Sequence, residues 1–404
     1  MRCLVLASFD SFQNAALLVG EHFKRAGCTV DYAGVGGRNA SGISSVPGTS
    51  GNVWSPTIRL SGRGSLETIA GYDIIVASLD GTSVRQLRLL MTEFRGQRPV
   101  VVALFPGLLL RHMYDSFTTR AWCDLLWLNC RRDVAAYRTM CSAYDFDSSN
   151  ARLFGVAPLL RKIVRTDYTE PGTVVFFEQS VIPSSRLERL YLGEQLVALA
   201  DRCGTRQFFI KPRAAPGTIS LHRSELSIED AVLRALKRRG RTPTSIEFTY
   251  RPVASLLEAA SHCLTINSTV AAEALNAGIP TTLISDFGAH DDYGMSYFFG
   301  SGLLRSFEGL DLDMPSPICS REWYEEHIAN PRETIALLIQ EAIELAQNPA
   351  RHSSAKTSPA DISQNLYTYL LSEIGDPAIA RRLHKSGKSN WLKKVVSKLS
   401  AKLG

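Results

Sequence analysis

The chain lacks any apolar run near the roughly 18 residues that a membrane-spanning helix needs. Its longest candidate, Pro99 to Leu110, is interrupted by Pro106 and Gly107. The N-terminus carries one Arg and only a short apolar run, unlike a secretory signal. Eight cysteines are scattered without a C-x-x-C pair. That argues against a zinc or disulfide framework, and Cys3 and Cys263 fall in apolar runs that suit buried, reduced thiols. The expectation is a cytoplasmic protein. Also absent is G-x-G-x-x-G at the first strand-to-helix turn, so a standard dinucleotide site is not expected there. Acidic residues are missing from Arg381 to Gly404, where eight Lys or Arg stand. Taking those eight from a net charge of +6 leaves the other 380 residues at about −2. A nearly neutral body is a poor nucleic-acid partner.

What is present is length and alternation. At 404 residues the chain exceeds one ordinary core and predicts two domains. Short β-branched runs alternate with amphipathic segments, which predicts α/β structure with parallel sheets. The first alternation covers 1–160. Cys3 to Ala7 is its first strand, and a helix from about Phe12 to Ala26 follows. Strands are expected at Asp73 to Ser78, Pro99 to Leu104, Leu125 to Leu128 and Arg152 to Val156. Gly34 to Gly64 is Gly- and Ser-rich and reads as a long loop, with a short strand at Thr57 to Leu60. Ala157 to Gly172 reads as a linker. Alternation restarts over 173–350, with strands at Thr173 to Phe177, Gln207 to Ile210 and Ser245 to Thr249. Residues 351–404 form a third segment that ends in a basic tail.

The second half is organised around Cys263 to Ser285, CLTINSTVAAEALNAGIPTTLIS. A strand at Cys263 to Ile266 precedes Asn267, Ser268 and Thr269, residues that cap helices. A helix from Val270 to Asn276 is stopped by Gly278 and Pro280, and a strand from Thr281 follows. In such a βαβ unit the turn lies at the carboxyl ends of the strands, where ligands bind. A helix N-terminus there suits a phosphate. Glu273, about one turn further in, is placed to accept from ribose hydroxyls. The plainer reading is a capped helix with Glu273 in solvent.

This stretch resembles the donor-binding βαβ unit of GT-B glycosyltransferases, in which a Ser/Thr-rich turn precedes an E-A-L helix and a G-x-P turn. The resemblance implies two Rossmann-like domains facing across a cleft, with a nucleotide-sugar donor on the second and the acceptor on the first. It implies that late helices, here Pro331 to Gln347, cross back to the first domain. It also implies no metal, so His290, Asp291 and Asp292 read as a polar loop. Lys211-Pro212-Arg213 lies at a predicted strand end and offers two cations for a phosphate. It is similar to the Lys-His-Pro motif of bacterial transferases that use CMP-activated sialic acid or Kdo. Here the motif's His is absent, with Arg213 after the Pro and His222 a weak substitute. The expected donor-binding set is therefore Gln179, Lys211, Arg213, Asn267, Ser268, Thr269 and Glu273. A CMP-sugar is favoured, with a UDP-sugar next.

Inverting transfer needs a base for the acceptor hydroxyl. Asp10, on the first turn of the first half, is the candidate, with a helix cap as its alternative role. In the tail, Trp391, Leu392, Val395, Val396, Leu399 and Leu403 recur at helical spacing among Lys393, Lys394, Lys398 and Lys402. A basic amphipathic helix suits an anionic membrane surface, here the inner face of the plasma membrane. The alternative is a solubilising tail. The function expected is transfer of a sugar to an envelope or capsule glycan or lipid-linked acceptor. A sugar-nucleotide 2-epimerase of the same plan and a non-catalytic nucleotide-sugar binder are the rivals.

Overall fold

The computed structural model describes residues 1–35, 55–60, 63–94, 97–165, 172–179, 182–204, 206–213, 225–240, 246–313 and 316–348. The tail, with Trp391 and its lysines, lies outside these residues, as do His222 and most of the Gly34 to Gly64 loop.

Two parallel sheets carry the chain. The first contains β1 (Arg2–Ala7), β2 (Thr29–Val35), β3 (Ser55–Ile58), β4 (Ile74–Ser78), β5 (Val100–Ala103), β6 (Leu125–Leu128) and β7 (Ala151–Leu153). Its helices are α1 (Asp10–Arg25), α2 (Arg63–Ala70), α3 (Gly81–Thr92), α4 (Met113–Arg120) and α5 (Arg131–Ala143). The spatial order is β3-β2-β1-β4-β5-β6-β7, parallel throughout. β4, β5 and β6 are buried along their whole length, as strands covered by helices on both faces must be.

The second sheet contains β8 (Thr173–Phe177), β9 (Gln207–Lys211), β10 (Ile246–Phe248), β11 (His262–Thr265), β12 (Thr281–Ile284) and β13 (Leu304–Arg305). Helices α6 (Arg186–Arg202), α7 (Ile228–Arg238), α8 (Val253–Ala259) and α9 (Val270–Asn276) connect them, and α10 (Arg321–His327) and α11 (Ile335–Gln347) follow. The order is β10-β9-β8-β11-β12-β13, again parallel. Each sheet reverses its winding once, between β1 and β4 and between β8 and β11. Ligands bind at the carboxyl ends beside such switch points. This pair of facing Rossmann-like units is the GT-B architecture.

Four elements depart from the sequence expectation. α2 and α4 were not expected, and α4 (MYDSFTTR) holds few strong helix formers. β13 has only two residues, below the length at which a run is legible. Helix α1 begins at Asp10 rather than Phe12, and Phe9 takes the cap position without a side-chain bond. Asp10 is therefore the first helical residue and not the cap.

Helix α11 returns to the first half, so the first core draws on residues beyond 330. Ile335, Leu338, Ile339 and Ala342 pack with Phe23, Trp127 and Phe154 under the first sheet. Arg152 Nε donates to Glu341 Oε2 at 2.8 Å and to Oε1 at 3.0 Å. Gly155, at φ +119°, lets the returning chain pass: a Cβ there would stand 2.6 Å from the Ala329 carbonyl oxygen. A third cluster joins Leu108, Val156 and Leu159 of the first half to Ala271, Ala272, Tyr297 and Trp323 of the second. All eight cysteines are free thiols, and seven are buried.

Candidate active site

Three adjacent strands of the second sheet deliver the expected donor residues. β8 runs into Glu178 and Gln179, β9 ends at Lys211 before Pro212 and Arg213, and β11 leads to Asn267, Ser268 and Thr269. Gln179, Lys211, Arg213, Asn267, Ser268, Thr269 and Glu273 all line one cleft of about 630 Å³. The opposite wall comes from the first half: Ser11 after β1, Asp80 and Gly81 after β4, and Phe105 to His112 after β5. An open hollow of about 500 Å³ elsewhere is lined by Arg131, Arg321, Glu322, Glu325 and Glu326 and holds none of the residues expected from sequence. Arg321 and Glu325 there pair with each other at 2.7 Å.

The residues that sequence grouped together are engaged differently. Ser268 Oγ accepts from Val270 N, the first residue of α9, at 3.3 Å. Thr269 instead crosses the cleft, its Oγ1 accepting from Leu108 N at 3.1 Å. Gly107 beside it has no room for a side chain, since a Cβ there would lie 2.3 Å from Thr269 Oγ1. Buried Asn129 fixes this loop, donating Nδ2 to the Gly107 carbonyl at 2.8 Å. Asn267 is buried and donates its amide to the Tyr293 carbonyl. Its amide nitrogen therefore holds the wall of the cleft. Tyr293 in turn donates its hydroxyl to Glu188 Oε2 at 2.8 Å, and Arg111 Nη1 donates to the Asp292 carbonyl at 2.9 Å.

Asp10 stands at the rim and meets the second half directly. Arg213 Nη2 reaches its Oδ2 at 2.9 Å and its Oδ1 at 3.1 Å. Oδ1 also accepts from Ser11 N at 2.8 Å. The two side chains remain 40% and 63% exposed, which leaves the pair open to exchange with a ligand.

Electrostatics separates Glu273 from the other groups. Its carboxyl is half-buried on the cleft wall and has no hydrogen-bond partner among the described residues. Burial pushes it up to about 7, against the pull of Arg161. Burial also lowers the Lys211 ammonium, helped by Arg213 and opposed by Glu178.

Glu178, directly after β8, is a site residue that the sequence expectation does not include. It is the anchor of the cationic loop: Oε2 accepts from Arg213 N at 2.9 Å, and Oε1 takes Nη2 of fully buried Arg189. Burial raises its carboxyl above the usual range, against the pull of Arg189. The usable signal was Arg189 itself. It sits one turn before Leu192 on the apolar face of α6, where a cation needs a buried partner.

Solved structures share this fold at low identity. UDP-GlcNAc 2-epimerase from Neisseria meningitidis, bound to UDP-GlcNAc, aligns at TM-score 0.53 with 11% identity over 86% of this chain and 100% of that one. The UDP-GlcNAc 2-epimerase from Methanocaldococcus jannaschii gives 0.53, 10%, 85% and 100%. The wall teichoic acid polymerase TagF gives 0.50, 12%, 86% and 89%. No curated protein matches the chain. Residues 51–341 match the family described as "Putative glycosyltransferase (DUF6716)", and the chain belongs to that family.

Proposed function

We propose that this protein transfers a sugar from a nucleotide-activated donor to an envelope or capsule glycan acceptor. The observation that carries the reading is the pairing of chemistries across the cleft. Lys211, Arg213 and Ser268 line the cleft on the second half, and a carboxylate of the first half, Asp10, beside the lining residue Ser11, meets Arg213. Lys211 and Arg213 are the donor's phosphate partners, and the Ser268 and Thr269 hydroxyls, each engaged as an acceptor, keep their protons to donate. Glu273 and Gln179 bind the nucleoside. Asp10 takes the proton from the acceptor hydroxyl as that oxygen attacks the anomeric carbon. The meningococcal epimerase holds UDP-GlcNAc in the same fold, which supports a nucleotide sugar as the substrate class. The Lys-Pro-Arg sequence favours a CMP-sugar, with a UDP-sugar next.

A thermal-shift screen of CMP-, UDP-, GDP- and dTDP-sugars, followed by turnover with glycan acceptors, tests the reading. Ser268→Ala is expected to weaken donor binding by about 1.5–3 kcal/mol, the value of a hydrogen bond to a charged group. Asp10→Asn is expected to bind the donor no more weakly than the wild type and to lose about 10²–10⁴-fold in transfer rate. Conversion of UDP-GlcNAc without any acceptor would identify an epimerase instead, and binding without turnover a sugar-nucleotide binder.

The basic tail extends the proposal to location. Residues 390–404 form a peripheral anchor on an anionic membrane surface, which places the enzyme beside a lipid-linked acceptor on the cytoplasmic face. Each Lys near such a surface contributes about 1 kcal/mol.

A further inference from the structure

Sequence reading gave Asp10 and Arg213 opposite duties, one toward the acceptor and one toward the donor. In the structure they hold each other. Arg213 Nη2 bridges both oxygens of Asp10, at 2.9 and 3.1 Å, across a separation of 203 residues. The contact is asymmetric in rigidity. The backbone of Arg213 is fixed, because its N–H donates to Glu178 Oε2 at 2.9 Å and Glu178 is locked to buried Arg189. The Arg213 side chain is 40% exposed and lines the cleft. Its guanidinium can therefore turn about a fixed Cα from one anion to another. Asp10 meanwhile has one oxygen shared between Ser11 N and Arg213 and the other on Arg213. In that state both oxygens are engaged, and neither is free to meet an acceptor hydroxyl.

We propose that Arg213 is a positioning residue that exchanges partners: it holds Asp10 while the cleft is empty and moves to the donor's phosphate when a nucleotide binds, freeing the carboxylate. Donor binding thus precedes acceptor activation, and an empty enzyme does not expose its base. This rests on the functional reading above. A donor phosphate competes well for a guanidinium, because the planar fork matches two of its oxygens bidentately. The exposed ion pair it displaces is weak.

The exchange makes an unusual demand, that removing the charge of Asp10 should improve nucleotide binding through Arg213. The test is a double-mutant cycle on the full chain, with CMP, UDP, GDP and dTDP titrated calorimetrically. Asp10→Asn is expected to tighten binding by about 1.5- to 5-fold, the value of an exposed ion pair. Arg213→Gln is expected to weaken it about 10-fold or more. In the Arg213→Gln background, Asp10→Asn is expected to change little. Equal tightening in both backgrounds would mean simple removal of a repelling charge and would overturn the exchange. So would unchanged affinity in Asp10→Asn while Arg213→Gln weakens binding; either result leaves the donor site intact. Failure of the wild-type protein to bind any of the four nucleotides would overturn the functional reading and the exchange together.

Discussion

Glu273 shows how one side chain ties the cleft to pH. Its carboxyl carries no hydrogen bond among the described residues, and burial pushes it up to about 7. The folded protein therefore holds a proton at Glu273 between the ordinary carboxylate range and neutrality, where the unfolded chain does not. Folding stability from this group is present at low pH and lost as pH rises through that window. Asp133, fully buried, is pushed up to about 6 by that burial, against the pull of Arg132, and adds with the same sign. Glu273→Gln removes the ionisation without changing shape. Melting temperatures followed from pH 5 to pH 8 should diverge, with the variant gaining on the wild type toward pH 8. Parallel curves would mean that the carboxylate is solvated in the cleft.

Among elements, α11 has the clearest consequence. It comes last in the described chain yet completes the first core, so the first domain is not a contiguous segment. Ile339 is buried against that core, whereas Leu337 on the outer face is 75% exposed. Ile339→Ala is expected to cost about 2–5 kcal/mol in urea unfolding, as buried Ile or Leu truncations do. Leu337→Ala should stay within about 0.5 kcal/mol. If both variants behaved alike, α11 would not be docked in solution. The return also clamps the halves, since Thr334 Oγ1 donates to the Phe154 carbonyl at 2.7 Å just ahead of it.

For the whole molecule, the distance between the halves is set at Gly107 and Thr269. A methyl at Gly107 would stand 2.3 Å from Thr269 Oγ1 and 3.1 Å from its Cβ and Cγ2. Gly107→Ala should therefore lower stability by about 1–3 kcal/mol, the range for an added methylene without room. It should also lower transfer, because Asp10 on the first half would be drawn away from the donor-binding residues of the second. Adding Thr269→Ala makes room and should restore most of the stability. No recovery in the double variant would place the strain elsewhere. The tail works at the same scale. Deleting residues 390–404 should abolish salt-sensitive co-sedimentation with anionic vesicles while sparing transfer to a soluble acceptor. Equal pelleting of full-length and truncated protein would end the membrane reading.

How much of this was legible in the sequence depends on the range of the physics. β8, α9 and β12 fall where hydrophobic spacing and turn residues put them, because periodicity and capping are properties of a few consecutive residues. The cleft could be expected because parallel strands bring their carboxyl-end turns to one edge. Lys211, Arg213, Ser268 and Glu273 were found in that way. The sequence therefore determined the two sheets and which turns meet. It did not determine what each polar side chain holds. Thr269 with Leu108, Arg152 with Glu341 and Arg213 with Asp10 lie 161, 189 and 203 residues apart. Thr269 looks like a cap and binds the other domain, while Glu178 looks like a strand end and is half of a buried ion pair. Such pairings depend on how two separately folded sheets dock, and docking is decided by the shape of packed surfaces that only the tertiary structure brings together.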